Sequence, residues 1–249
     1  MTTADPLLPL LDLPGVADAA DAARTAVDTL LAHRVLRRRS GDVSAESSLR
    51  GAWAAAWLNG AKLSLDDVRA GTSPVMQDPI LQGSLRAYAA LGTLVDTWHR
   101  APRQVLARLH VLAAADLVPD TAELGKPLSL AAPRLDILAE VLAATGVPAA
   151  IIAAIVHAEV ASLDAFPPVS QIVAAVAARL VLIDRGLDPA SYVVLEAGHR
   201  ELEHEYQQAI GAYRQGTTEG VRTWLLYYCE AVVAGARETT AICEAIQRG

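Results

Sequence analysis

Apolar positions recur at helical spacing along almost the whole chain. Val16, Ala19, Ala23, Val27, Leu30 and Leu31 form one stripe at a period near 3.6. With Pro14 suited to a first helical turn, the stripe predicts a helix to about Arg38. Ser40-Gly41-Asp42 then reads as a break. Ser44 opens a second helix through Leu49, Trp53 and Trp57, which Asn59-Gly60 end because both tolerate left-handed geometry. Ser64 with Asp67 three residues on has the pattern of a helix-start box, with Asp in place of Glu. Further helices are expected over about Pro79 to Trp98, Pro102 to Ala115, Pro133 to Thr145 and Pro148 to Leu163, with Gly146 as a stop. The last third reads as Ser170 to Arg185, Pro189 to Arg214 and Glu219 to Arg248. Asp116 to Leu130 is the longest stretch without helical periodicity, and a short hairpin could sit there.

Composition agrees with this pattern. The chain of 249 residues is 53% hydrophobic but only 4% aromatic, so alanine, leucine and valine carry the burial, and these suit close helix packing. The expected class is all-α, with an N-terminal tail and helix over residues 1–43 and a helical domain over 44–249. A mean hydropathy of +0.29 raises the question of a membrane span. The two richest runs, Val147 to Val156 and Ile172 to Ile183, are short. The first is followed by His157 and Glu159 and the second carries Arg179, so neither reaches the roughly 18 to 20 apolar residues a span needs. Both read as buried core helices, and no membrane contact is expected. The N-terminal MTTADPLLPLLDLPG is acidic where an export signal would be basic, which points to the cytoplasm. On one helix Cys229 and Cys243 would lie about 21 Å apart, too far for a disulfide, and are read as free thiols.

The net charge of −7 argues against a nucleic-acid partner. One local exception, His33-Arg34 with Arg37-Arg38-Arg39, falls at the expected end of the first helix, where cations favour the dipole.

The segment from His157 to Gly186 carries the most specific pattern. It opens on His157-Ala158-Glu159-Val160 and closes on Leu180-Val181-Leu182-Ile183-Asp184-Arg185-Gly186. This frame resembles the active-site loop and helix of the Fic family, whose motif runs His-Pro-Phe, any residue, Asp or Glu, Gly-Asn-Gly-Arg, with a second Arg three residues later. Pro189, Tyr192, Tyr206 and the stretch from Trp224 to Tyr228 also resemble the family's closing helices. The resemblance implies an all-helical fold and, in active members, transfer of AMP or a related phosphate group to a protein hydroxyl.

Inside the frame almost every chemical residue differs. Asp164 stands at the family's catalytic His, and an Asp near pKa 3.9 is a weaker base than a His near 6.5. Ala165 replaces the proline, and Phe166 keeps the apolar anchor. Pro168 occupies the carboxylate position and offers no ligand to Mg²⁺. Val169, Ser170 and Gln171 replace Gly-Asn-Gly, where bare backbone would approach phosphates. Ile172 and Ala175 stand at the two arginine positions, removing both cations. A second match covers the helix near 44–60. Ala55 to Gly60, followed by Lys62-Leu63-Ser64, resembles the family's inhibitory helix, with Asn59 and Gly60 at its Glu-Gly. The Glu that would pair with the second motif arginine is absent, as is that arginine.

Other candidates carry less. His157 and Asp164, seven apart, would share a helix face if the helix continued; packing against backbone or water is the simpler role. His199, Glu203 and His204 read as a solvated face without a third metal ligand. Trp53 and Trp57 are core or interface anchors that could mark an oligomer surface. Gly125-Lys126 lacks the flanking residues of a phosphate loop. The expectation is a Fic-like protein without the transfer chemistry, acting as a protein-binding or regulatory module, with no cofactor and no metal; the alternative is a Fic-type nucleotidyltransferase with an altered site. By the resemblance, Leu124, Gly125, Lys126, Pro127 and Leu128 lie where a flap holds the target. Two readings of this stretch stand side by side: a partner groove floored by Asp164 to Gln171 with its two prolines, and an ordinary surface loop.

Overall fold

A computed structural model describes residues 5–248. Among these residues thirteen α-helices follow one another: α1 Val16–Leu31, α2 Leu36–Leu58, α3 Leu65–Ala70, α4 Ser73–Met76, α5 Pro79–Ala89, α6 Leu91–Arg100, α7 Pro102–Ala114, α8 Ala132–Ala144, α9 Ala149–Ser162, α10 Ser170–Asp184, α11 Leu195–Glu201, α12 Glu203–Arg214 and α13 Thr218–Arg248. Among the described residues there is no strand, so the all-α expectation holds. No described helix is long and apolar enough to cross a membrane.

The centre is a helical hairpin. In α9 the residues from Ala150 to Ala161 are all buried, and in α10 those from Ile172 to Leu182 are. A helix that is apolar all round must be enclosed on every side. The rest of the fold encloses it. The long α13 packs on α9, α11 and α12, α1 lies along α13, and α2 and α5 to α7 cover the α10 side. Val16, Ala20, Ala23, Val27 and Leu30 of α1 belong to the same apolar core as α9 and α10. Where two helices approach closely the sequence supplies glycine. A Cβ added to Gly83 would stand 1.9 Å from the Ala113 carbonyl oxygen, which fixes how near α5 can lie to α7.

Several expected boundaries are corrected. The first helix ends at Leu31 rather than Arg38, and Ser40-Gly41-Asp42 lies inside α2. Buried Val35 and Val43 set the direction of α2, and an exposed glycine within a helix costs only about 1 kcal/mol, so packing overrides the break. A trace of it survives as the non-helical Arg39 (φ −125°, ψ 27°). Arg37 to Arg39 therefore occupy the start of a helix, the positive end of its dipole, not the favourable end expected. Arg39 is offset by Asp42. Pro14 precedes the helix, which starts at Val16 after Gly15. The expected helix over 79–98 is divided at Ala90. The one over 189–214 starts only at Leu195, because the Asp188 carboxylate takes the Tyr192 and Val193 amides (2.9 and 2.8 Å) and holds that stretch out of the helix. Ser64 does precede α3, without the side-chain bond of a helix-start box. Residues 116–130 form turns and a short 3₁₀ segment, Thr121–Glu123, in place of a hairpin.

Candidate functional site

The loop joining α9 to α10 contains the matched motif positions. The helix α9 ends at Ser162 with Leu163 as C-cap, and Asp164 adopts a left-handed conformation at φ 46°. Its N–H donates to the Ala161 carbonyl (3.2 Å) and the Ala165 N–H to that of Val160 (3.1 Å). This is the Schellman arrangement. Asp164, which the sequence resemblance sets against the family's catalytic histidine, thus terminates a helix, and its side chain is exposed. The notion of His157 and Asp164 on one helical face is corrected accordingly, since the helix stops between them.

Beyond Asp164 four consecutive carbonyl oxygens each accept a hydrogen bond. Leu128 N–H donates to Ala165 (2.9 Å) and Val169 N–H to Phe166 (3.0 Å). The His110 imidazole bonds Pro167 (3.1 Å), and Asn59 Nδ2 bonds Pro168 (3.1 Å). Three distant parts of the chain are therefore fixed to the loop: the 116–130 segment, α7 and the end of α2. Inside the loop Ser170 Oγ accepts the Phe166 N–H at 2.8 Å. Phe166, Val169, Ile172 and Ala175 are buried, Pro168 is exposed and Gln171 is half-buried.

His110 escaped the sequence reading. It sits on the buried face of α7 with Val105, Leu106, Leu109 and Ala113, so a polar ring on an apolar stripe was the available signal. Gly125 N–H donates to its Nδ1 (3.1 Å), which leaves the proton on Nε2 to be donated to Pro167. Burial lowers its pKa, the bond to Pro167 opposing. Its ring lies 5.4 Å from that of Phe166. Between these elements is a pocket of ≈ 210 Å³ lined by Gln104, Ala107, Gly125, Pro127, Leu135 and Phe166, with Arg103 at the same wall. Of the expected groove residues, Gly125 and Pro127 meet Phe166 here. Leu124 is half-buried, while Lys126 and Leu128 are exposed.

Gln171 leads inward. Tyr206 Oη donates to Gln171 Oε1 and so accepts from His157 Nε2 at 3.1 Å. His157 thus bonds a tyrosine side chain through Nε2. Its ring lies 4.9 Å from that of His199, whose Nδ1 meets Tyr227 Oη at 2.7 Å. Burial holds His199 down to about 3 and His157 well below its ordinary value, the neighbouring His199 adding to the latter. The reading of His199 with Glu203 and His204 as a solvated face is corrected for His199, which is wholly buried. Glu203 faces Lys62 (3.3 Å) and His204 faces Gln208 (2.8 Å).

At the end of α2, Gly60 adopts φ 108°, where a side chain would be strained. Trp53 is buried, with its Nε1 on the Leu63 carbonyl (2.8 Å), and Arg200 lies over its ring at 4.7 Å. Lys62 stands 3.0 Å from the Trp57 ring centre. Both tryptophans serve this helix end as anchors. Cys229 and Cys243 are free and buried in α13.

No protein-family model and no curated protein sequence matches this chain. Among solved structures it is similar to a Fic family protein from Desulfovibrio desulfuricans G20, determined at 2.70 Å. The TM-score is 0.75 at 15% identity, over 92% of this chain and 75% of that one. The chain therefore has a Fic-like, all-helical fold.

Proposed function

We propose that this chain is a protein-binding module on a Fic-like fold, without nucleotidyl transfer. The observation that carries this reading is the α9–α10 loop. The positions at which the family holds its phosphate-binding arginines are occupied by Ile172 and Ala175, both turned into the core. Pro168 presents no metal ligand, and the buried Val169 stands where a glycine would leave bare backbone. A nucleotide with its metal does not fit this set of residues. Phosphoryl chemistry depends on positioning and on neutralised charge, and these residues supply no cation for it.

The same loop is rigidly held by Leu128, His110 and Asn59, and beside it the ≈ 210 Å³ pocket over Phe166 stays open. With Leu128 exposed next in the chain to Pro127 of its wall, the pocket suits an apolar side chain of a partner, held on a preorganised surface. Strand addition along residues 124–128 suits it less, because Leu128 spends its N–H on Ala165.

Co-purification from the native host tests the reading. A stable protein partner is expected, and it should be lost on Leu128→Asp, which alters the edge but keeps the backbone bond. Incubation with labelled ATP and Mg²⁺ or Mn²⁺ should leave no label on protein. Label that vanishes on Asp164→Ala would establish the transferase reading instead.

A further inference from the structure

A second cleft lies between α8, α9, α12 and the start of α13, built from residues that the proposed function does not use. One arm, ≈ 450 Å³, is walled by Leu7, Leu10, Ile137, Val141 and Ile155. The other, ≈ 510 Å³, is lined by Arg134, Ser162, Leu163 and Arg214. Arg134, Tyr213 and Val221 line both, so the arms meet at these three side chains. An apolar arm joined to a polar one, with few convergent polar groups at the junction, has the make-up of a small-molecule site.

The charges at the junction decide the sign of the ligand. Glu159 is almost completely buried and fully engaged. Arg134 Nε donates to its Oε2 (2.9 Å), Arg134 Nη2 to its Oε1 (2.5 Å) and Tyr213 Oη also to Oε1 (2.5 Å). It therefore has little left to offer a cation. The arginines keep donors in reserve. Arg134 binds Glu159 through Nε and Nη2 and leaves Nη1 free among the described residues, with the side chain 55% exposed. Arg214 gives only its Nε to the Ser162 carbonyl (3.1 Å), leaving both Nη groups. Two arginines against one carboxylate make the junction cationic. The overall charge of −7 does not cancel this, since charges beyond about 10 Å are screened at 0.1 M salt. Ile137, 56% exposed, stands at the mouth of the apolar arm, as expected of a wall that a ligand covers.

We infer that this cleft binds a free single-chain amphiphile, with its apolar tail against Ile137, Val141 and Ile155 and an anionic head between Arg134 and Arg214. Guanidinium groups pair readily with planar carboxylates, so a fatty-acid type of head fits the free donors.

Calorimetric titration of the full chain with decanoate, kept below self-assembly, tests it against decan-1-ol and inorganic phosphate. Saturable binding of decanoate is expected, at least tenfold tighter than either control. Arg214→Gln, which changes an exposed residue, should weaken decanoate about tenfold and leave decan-1-ol unaltered. Ile137→Asp should weaken both. Equal affinity for decanoate and decan-1-ol overturns the head assignment, and phosphate binding as tightly as decanoate overturns the tail assignment. Absence of saturable decanoate binding, or binding only to anionic lipid vesicles, overturns the proposal as a whole.

Discussion

Asn59 Nδ2 donates to the Pro168 carbonyl oxygen at 3.1 Å, tying the end of α2 to the α9–α10 loop across 109 positions of chain. The resemblance matched these regions separately, one to an inhibitory helix and one to a motif, and the fold brings them into direct contact. The contact is of a different kind from the one the family would make. An amide holds a backbone oxygen where a carboxylate would have faced an arginine. Because only a donor suits a carbonyl, Asn59→Asp should destabilise more than Asn59→Ala. The alanine variant loses one half-exposed hydrogen bond, about 0.5–1.5 kcal/mol. The aspartate also sets acceptor against acceptor, at the negative end of a helix dipole. Urea denaturation of both variants checks the order: equal losses would mean that the carboxylate meets no acceptor, and no loss in the alanine variant that the bond contributes nothing.

Asp164 offers a test with the opposite sign. It occupies the left-handed position of a Schellman motif, where glycine is favoured because it has no Cβ, and its side chain is exposed. Asp164→Gly should therefore stabilise the fold by roughly 0.5–1 kcal/mol, read as a rise in urea midpoint. A catalytic or ligand-holding Asp164 would give no such gain without loss of binding.

Nucleotide binding can be checked by thermal denaturation. A ligand at 100 times its Kd stabilises by about 2.7 kcal/mol, roughly 5–10 °C for a chain of this size. ATP or GTP with Mg²⁺ is expected to leave Tm unchanged, since Ile172 and Ala175 supply no cation. For the same reason Asp164→His alone should restore no transfer. A saturable rise in Tm would show that the pocket retains its nucleotide.

The all-helical fold was legible because its signals are local: an apolar run on either side of a short loop, and a glycine at the end of a helix. The boundaries that failed were those decided by distant partners. Gly41 has the local signature of a break, but Val35 and Val43 are buried against the rest of the core and carry the helix through it. Pro189 has the local signature of a helix start, but the Asp188 carboxylate captures two amides just beyond it. At the loop, the resemblance names the positions to compare one by one. That His110 would hold the loop could not be named in this way, because its two partners, Gly125 and Pro167, lie 15 and 57 positions away. The Arg134–Glu159–Tyr213 junction was hidden for the same reason, being drawn from three helices.

Stability should depend on pH through the buried histidines. Burial holds His199 down to about 3 and His157 well below the ordinary value near 6.5, so both stay neutral in the fold. As pH falls below 6.5 the unfolded chain takes up these protons first. The stabilisation is complete above 6.5 and is lost as pH falls toward the folded values, by about 1 kcal/mol per pH unit for each histidine. His110, also lowered by burial, acts in the same direction, and Glu196 pulls weakly the other way on His157. Asp188, whose carboxyl is raised by burial, acts oppositely, but only toward the carboxylate range. Urea denaturation at pH 7.5 and pH 5 should therefore show a clear loss at the lower pH. His157→Gln, which keeps a donor for Tyr206, should make that loss smaller. An unchanged difference would mean that His157 titrates normally.

The second core helix, α10, carries a charge in its interior. Arg179, in the apolar run of α10, is wholly buried and forms a bidentate pair with Glu196 of α11, Nε to Oε1 at 2.8 Å and Nη2 to Oε2 at 2.6 Å. Its Nη1 bonds Ser191 Oγ at 3.0 Å, and its guanidinium lies 5.3 Å from the centre of the Tyr88 ring. Removing one partner strands a charge in the core, so Arg179→Met or Glu196→Leu alone should cost about 3–5 kcal/mol. Removing both replaces the pair by apolar side chains of similar bulk, which is often close to neutral. The double variant should then be more stable than either single one, losing at least about 3 kcal/mol less than the sum of the two. In it Ser191 loses its donor, and buried Asp188 loses the nearby cation that favours its charged form. Urea denaturation of the four proteins closes the cycle. Additive losses would mean that the pair is uncoupled, and that α10 and α11 are joined by packing alone.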